Sequence, residues 1–230
     1  MINPPDNHAI AGRGKRVLLP LLLAITTCLF IAVTIYSPPT NSALADGGSE
    51  SGQKIFFQSL NGEGFYRETL KYAVKKNASV KPLPPGKIWG VIVPHHLLAA
   101  DIIAETLTRI SGLKPDQIVI LSPDHYSRGK TFFSTAGRDL KTTVGTSSPN
   151  RQLVKALAQL PSFSVNNRIF SAEHGIGSIL PFVQVLWPGI KVTPILFRSD
   201  AAAGDLKELQ KMLAESIASS NILIIESTDF

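Results

Sequence analysis

"GVIVPHHLLAADIIAETL", residues 90–107, runs a buried strand directly into a helix. Val91-Ile92-Val93 is an apolar, β-branched run of the kind that lies inside a sheet, and it halts at Pro94. From Leu97 to Leu107 the apolar residues return at helical spacing. Two adjacent histidines, His95 and His96, occupy the join. Strands that hand over to helices are the repeating unit of α/β proteins, whose ligands bind beyond the carboxyl ends of the strands.

The rest of the chain repeats the alternation. Gly64 to Lys76 has weak helical periodicity, and Ile88 to Val93 is the first strand. Leu97 to Ser111 is a helix with Ala99, Ile102, Ile103, Leu107 and Ile110 on one face and Gly112 as its stop. "QIVIL" (117–121) is a second strand and Thr131 to Ala136 a third. Asn150 to Leu160 and Ala172 to Leu186 are helical, the second with a kink or restart at Pro181. Lys191 to Phe197 is a strand, Leu206 to Ala218 an amphipathic helix, and Ile222 to Ile225 the last strand. Apolar strands of this kind are buried on both faces. The expectation is one three-layer α/β domain over 61–230, with a central, mostly parallel sheet flanked by helices.

Composition narrows the chemistry. With 44% hydrophobic and 17% charged residues, the 230-residue chain has enough apolar material for a core and is not a disordered polymer. Its net charge of +6 is spread out, with a local group at Lys71, Lys75, Lys76, Lys81 and Lys87. No Arg-rich helix or basic stripe interleaved with aromatics is present, so no nucleic-acid partner is expected. Cys28 is the one cysteine, which excludes an intramolecular disulfide and a Cys-based zinc cluster. Any metal site must use histidine and carboxylate.

Val17 to Tyr36 carries no charge and has the length of a membrane-crossing helix. Arg13, Lys15 and Arg16 precede it, which places residues 1–16 in the cytoplasm and the α/β domain outside. The expectation is a transmembrane signal anchor over 17–36, a flexible linker rich in Pro, Ser and Gly over 37–60, and attachment to the membrane through that helix. Ala43-Leu44-Ala45 offers the alternative of a signal peptide cleaved near Ala45 and a secreted domain.

Four of the five histidines fall on strand ends or helix starts: His95 and His96 after the first strand, His125 in "LSPDHY" after the second, and His174 in "SAEHGIG". "ESTDF", with Ser227 and Asp229, follows the last strand. Parallel strands point their carboxyl ends to one side, so His95 and His125 should converge. Two imidazoles with a further donor hold a divalent transition metal, and the same groups can act as acid and base without one. Neighbours such as His95 and His96 point in different directions, so one is expected to be the ligand and the other to pack or support it.

"VIVPHH", "VILSPDHY", "AEHGIGSILPF" and "ESTDF", in this order, resemble the MEMO family, including the AmmeMemoRadiSam system protein B group. The resemblance runs from about Gly64 to the end. It implies a fold similar to class III extradiol dioxygenases, with His95 and His125 as metal ligands, iron or copper as the metal, His174 as a third pocket histidine and Asp229 as a site carboxylate. His174 and Asp229 are the implied catalytic pair. Radical SAM and AMMECR-type proteins are the implied partners. Three features depart from the family pattern. His96 replaces the small residue of a PHAG element, Gly177 stands where an EHSIE element has its second glutamate, and the chain stops at Phe230, where family members continue with Cys-His or Ser-His. That last departure implies a C-terminally shortened chain. Three functions compete: metal-dependent redox or oxidative chemistry, a membrane-tethered binding or scaffold module using the same pocket, and ring-cleaving dioxygenase chemistry by analogy of fold alone.

Overall fold

The apolar runs at 91–93, 117–121, 191–197 and 222–225 all pair as strands, and their pairing places the histidines. A computed structural model describes residues 54–57, 61–81, 83 and 86–229. In chain order the elements are β1 (Ile55–Phe56), α1 (Glu63–Asn77), β2 (Gly90–Pro94), α2 (Ala100–Ile110), β3 (Gln117–Pro123), β4 (Phe133–Thr135), β5 (Leu140–Lys141) and β6 (Thr146–Ser147). There follow α3 (Arg151–Leu157), β7 (Phe163–Val165), α4 (His174–Gly177), α5 (Leu180–Leu186), β8 (Lys191–Phe197), α6 (Ala203–Ser219) and β9 (Ile222–Thr228).

The larger sheet has the order β2-β9-β3-β8-β4-β7. Strands β2, β9, β3 and β8 run parallel, so their carboxyl ends share one edge. β4 pairs with β8 antiparallel and with β7 parallel. The last strand therefore lies between the first two long strands, which sets "STD" between His95 and His125. Alternation along β9 sends Leu223 and Ile225 to one face and Ile222 and Ile224 to the other. The first face packs against residues of α1, α2, α4 and α5, including Tyr66, Ile103, Leu107, Ile176 and Phe182. The second packs against Leu153 and Leu157 of α3 and Leu206, Leu209 and Leu213 of α6.

Local chemistry sets the boundaries. Helix α2 buries Ala100, Ile103, Ala104, Leu107 and Ile110, the i, i+3, i+4, i+7 stripe of an amphipathic helix. Ile102, assigned to that face from sequence, is exposed, because at about 3.6 residues per turn it lies well round the helix from the stripe centred on Ile103 and Leu107. Asn150 caps α3, accepting from the Gln152 and Leu153 amides at 3.0 and 3.2 Å. The helix anticipated over 172–186 is two, α4 and α5, with Pro181 in the first turn of α5, where its missing N–H costs nothing.

Three expectations are corrected. There is not one central sheet but two mixed ones, the second being the three-stranded β1-β5-β6, with β1 parallel and β6 antiparallel to β5. Ile55–Phe56, which composition placed in the linker, forms β1, and Phe57 beside it is buried in the core. The membrane helix ahead of the domain, and with it the membrane localisation, is also withdrawn. No helix among the described residues is long and apolar enough to cross a bilayer, and the 17–36 stretch lies outside the described residues.

Candidate metal centre

The three adjacent strands β2, β9 and β3 each deliver one polar group just past their ends: His95, Asp229 and His125. Helix α4 brings a fourth, His174, from the face that carries Ile176. Ring centroids of His95 and His125 lie 4.7 Å apart, His95 and His174 5.0 Å, and His125 and His174 4.1 Å. His95, His125 and His174 can each point one ring nitrogen to a common position, with those atoms within 4.8 Å of one another. All four residues singled out from sequence thus meet at one place.

What holds the imbidazoles is as informative as the imidazoles themselves.

 Ser227 Oγ donates to the Gly175 carbonyl at 2.7 Å, so its lone pair is what faces His95 Nδ1 at 3.2 Å, and that ring nitrogen carries the proton. His125 Nδ1 lies 2.5 Å from Glu173 Oε1, where a carboxylate can only accept, so His125 too is protonated at Nδ1. In both rings this leaves Nε2 as the atom that can be offered to an ion. Both Nε2 atoms are buried. Asp229 faces both atoms, with Oδ1 2.8 Å from His95 Nε2 and Oδ2 3.5 Å from His125 Nε2. Buried ring nitrogens that converge on a carboxylate fit a metal ion well, and imidazoles held through Nδ1 by oxygen are the usual support of such a site.

Glu173 was not singled out from sequence, and it does more than any other residue to build the site. It is buried, caps α4 through the Gly175 amide at 3.2 Å, and also accepts from the His125 amide at 3.2 Å. Its single cue was its place directly before His174 at a helix start. Gly175 leaves room for this packing: a Cβ there would sit 2.0 Å from Ser122 Oγ and 3.1 Å from His125 Cε1. Asp124, also at a strand end, turns away and accepts from the Gly129 amide at 2.7 Å, bracing its own loop. His96, expected to pack or support, is exposed and has Nε2 3.1 Å from Asp229 Oδ1.

The electrostatics differ from ring to ring. Burial, with the His125 charge next, lowers the His95 pKa to about 4, so this ring is neutral at pH 7. Burial and the His125 charge also lower His174. For His125, burial pulls the pKa down, but the hydrogen bond and charge of Glu173, with Asp229, outweigh it and raise the value. Burial pushes Asp229 up, yet the charges of His95, His125 and His96 hold it below the usual carboxylate range. Two surface clefts lie elsewhere, one lined by Ile88, Leu113 and Leu223 and the other by Thr131, Ser162 and Arg198, and no histidine lines either. The donor set, not concavity, marks this site.

Known proteins resemble this chain over most of the described residues. The family model described as "Memo-like protein" matches residues 64–230. A MEMO1 family protein of Aquifex aeolicus is 30% identical over 153 residues, covering 63% of this chain and 39% of its own length. One from Nitrosopumilus maritimus is 24% identical over 147 residues, covering 62% and 53%. A third, from Pyrobaculum aerophilum, is 23% identical over 187 residues, covering 79% and 64%. The chain spans about half the length of the curated relatives it matches. With the family model matched from α1 through β9, over most of the chain, this protein belongs to the Memo-like protein family.

Proposed function

We propose that the chain binds one divalent transition-metal ion through His95, His125 and His174 and uses it for redox or oxidative chemistry. The observation that carries this is the convergence of two buried Nε2 atoms on Asp229, each ring fixed in place by an oxygen on its own Nδ1. Three imidazoles beside a carboxylate suit iron or copper, and either would supply electron transfer to a bound substrate. The protein's own residues supply the rest. Glu173 and Ser227 lock the two buried rings in the tautomer that presents Nε2. Asp229, held deprotonated by its histidine neighbours, orients polar groups at the mouth. His174 is held less firmly, with Nδ1 3.8 Å from Glu173 Oε1, so it is the ligand that can leave the ion and accept a proton.

The test is the metal content and affinity of the purified full chain, loaded anaerobically with Fe²⁺ and separately with Cu⁺ or Cu²⁺. His95→Ala and His125→Ala are each expected to weaken binding by tenfold or more, on the order of what loss of a ligand or its support costs. If both variants bind like the parent, the shared centre is wrong.

A further inference from the structure

Two three-donor positions share one nitrogen in this cluster. His95 groups with His125 and His174 at the inner position, and with His96 and Asp229 at the rim. His95 Nδ1 is engaged by Ser227, so Nε2 serves both groups. One lone pair binds one ion, so the two positions exclude each other. They differ sharply in access: the His95 side chain is fully buried, whereas those of His96 and Asp229 are 63% and 56% exposed.

We propose that His96 and Asp229 form a loading station, which takes a divalent transition-metal ion from solution and passes it to the inner position. The proposal rests on the inner three histidines binding a metal, as inferred above. One carboxylate spans both positions: Asp229 Oδ1 lies 2.8 Å from His95 Nε2 and 3.1 Å from His96 Nε2, while Oδ2 lies 3.5 Å from His125 Nε2. Transfer then needs only ligand exchange. The His95 bond is kept while His96 and Asp229 give way to His125 and His174, and the ion is never bare. The exposed Asp229 charge also raises the local cation concentration at the mouth, which speeds capture. An exposed His96–Asp229 contact has little worth for stability, so stability alone gives no reason for an imidazole there.

Stopped-flow loading of the full chain with Co²⁺, followed by its visible absorbance, separates this from simpler roles. The parent should bind one Co²⁺ per chain. His96→Ala should reach the same final spectrum and affinity, but load about tenfold more slowly, the scale of a lost steering charge or capture ligand. Release to a chelator should slow by the same factor, because a station on the path in is also on the path out. A ligand of the final site would behave oppositely, its loss speeding release. Asp229→Asn should slow loading as well. His125→Ala/His174→Ala should still capture one Co²⁺, weakly and with a different spectrum. Unchanged loading in His96→Ala, faster release, two ions bound at once in the parent, or no capture by the double variant would each overturn the station. If the parent binds no Co²⁺, the metal centre itself fails, which is a distinct result from a parent that binds and a His96→Ala variant that loads identically.

Discussion

Two glutamates lie buried near the carboxyl ends of the same sheet, on opposite faces, and their surroundings could hardly differ more. Glu173, on the face of α4, accepts from the His125 ring, the His125 amide and the Gly175 amide. Glu226 sits in β9 in register with Ile92 and Leu121, and no described residue bonds or ion-pairs to its carboxyl. Burial alone lifts its pKa to about 7. The contrast lies in the donors: three N–H groups converge on Glu173, and none among the described residues reaches Glu226. The histidines lie on the side where the donors are.

The most damaging way to break this comparison is Glu173→Ala. It strands three N–H donors in a buried setting, at roughly 1–3 kcal/mol each before relaxation, so a total loss of about 4 kcal/mol in unfolding free energy is expected. Metal affinity should fall by about 10- to 100-fold as the His125 ring loses its orientation. Chemical denaturation and metal titration of the same samples read both. A variant that stays as stable as the parent would show that the carboxylate does not organise the site.

Glu226→Gln probes the other face and should act in the opposite direction. A carboxyl whose folded pKa lies above its unfolded value of 4.5 penalises the native state once the unfolded chain ionises. The penalty starts near pH 4.5, grows as pH rises, and is complete above about 7, where it approaches on the order of 3 kcal/mol. The glutamine has no charge to bury. Its stability should match that of the parent at pH 4 and exceed it increasingly up to pH 8, as measured by melting at fixed pH steps. A constant difference across that range would mean that Glu226 finds a partner or water when ionised.

Much of this organisation was legible in the residues, for physical reasons. The runs "VIV", "QIVIL" and "ILII" could only be interior strands, and parallel packing then obliged His95, His125 and Asp229 to meet. Strands of two or three residues, such as β1, β5 and β6, carry no periodic signal, so the small sheet and the core placement of Phe57 did not show. The antiparallel β4–β8 pairing depends on long-range partners in the same way. Glu173 was missed because a polar residue before a four-residue helix resembles any loop residue until its three donors are in place. The exposure of His96 was not legible, because alternation tells that neighbours diverge, but not that one of them diverges into solvent.

Ser227→Ala gives the smallest expected effect and the sharpest question about the two anchored rings. The hydroxyl is buried, donating to the Gly175 carbonyl and accepting from His95 Nδ1, so it ties β9 to α4 and sets the His95 tautomer at once. Both links are neutral hydrogen bonds, and alanine leaves a small cavity, so a loss of about 1–2 kcal/mol is expected, well below the loss of charged Glu173. The metal effect should nonetheless be visible. Without an acceptor at Nδ1 the neutral His95 ring can place its proton on Nε2, where Asp229 Oδ1 lies 2.8 Å away and would welcome it. That tautomer cannot ligate, and binding should weaken up to about tenfold. Nitrogen-15 shifts of the His95 ring in the metal-free chain read the tautomer directly. A proton still on Nδ1 in Ser227→Ala would assign tautomer control to the surrounding packing, and leave Glu173 as the one carboxylate or hydroxyl that sets a ring in this site.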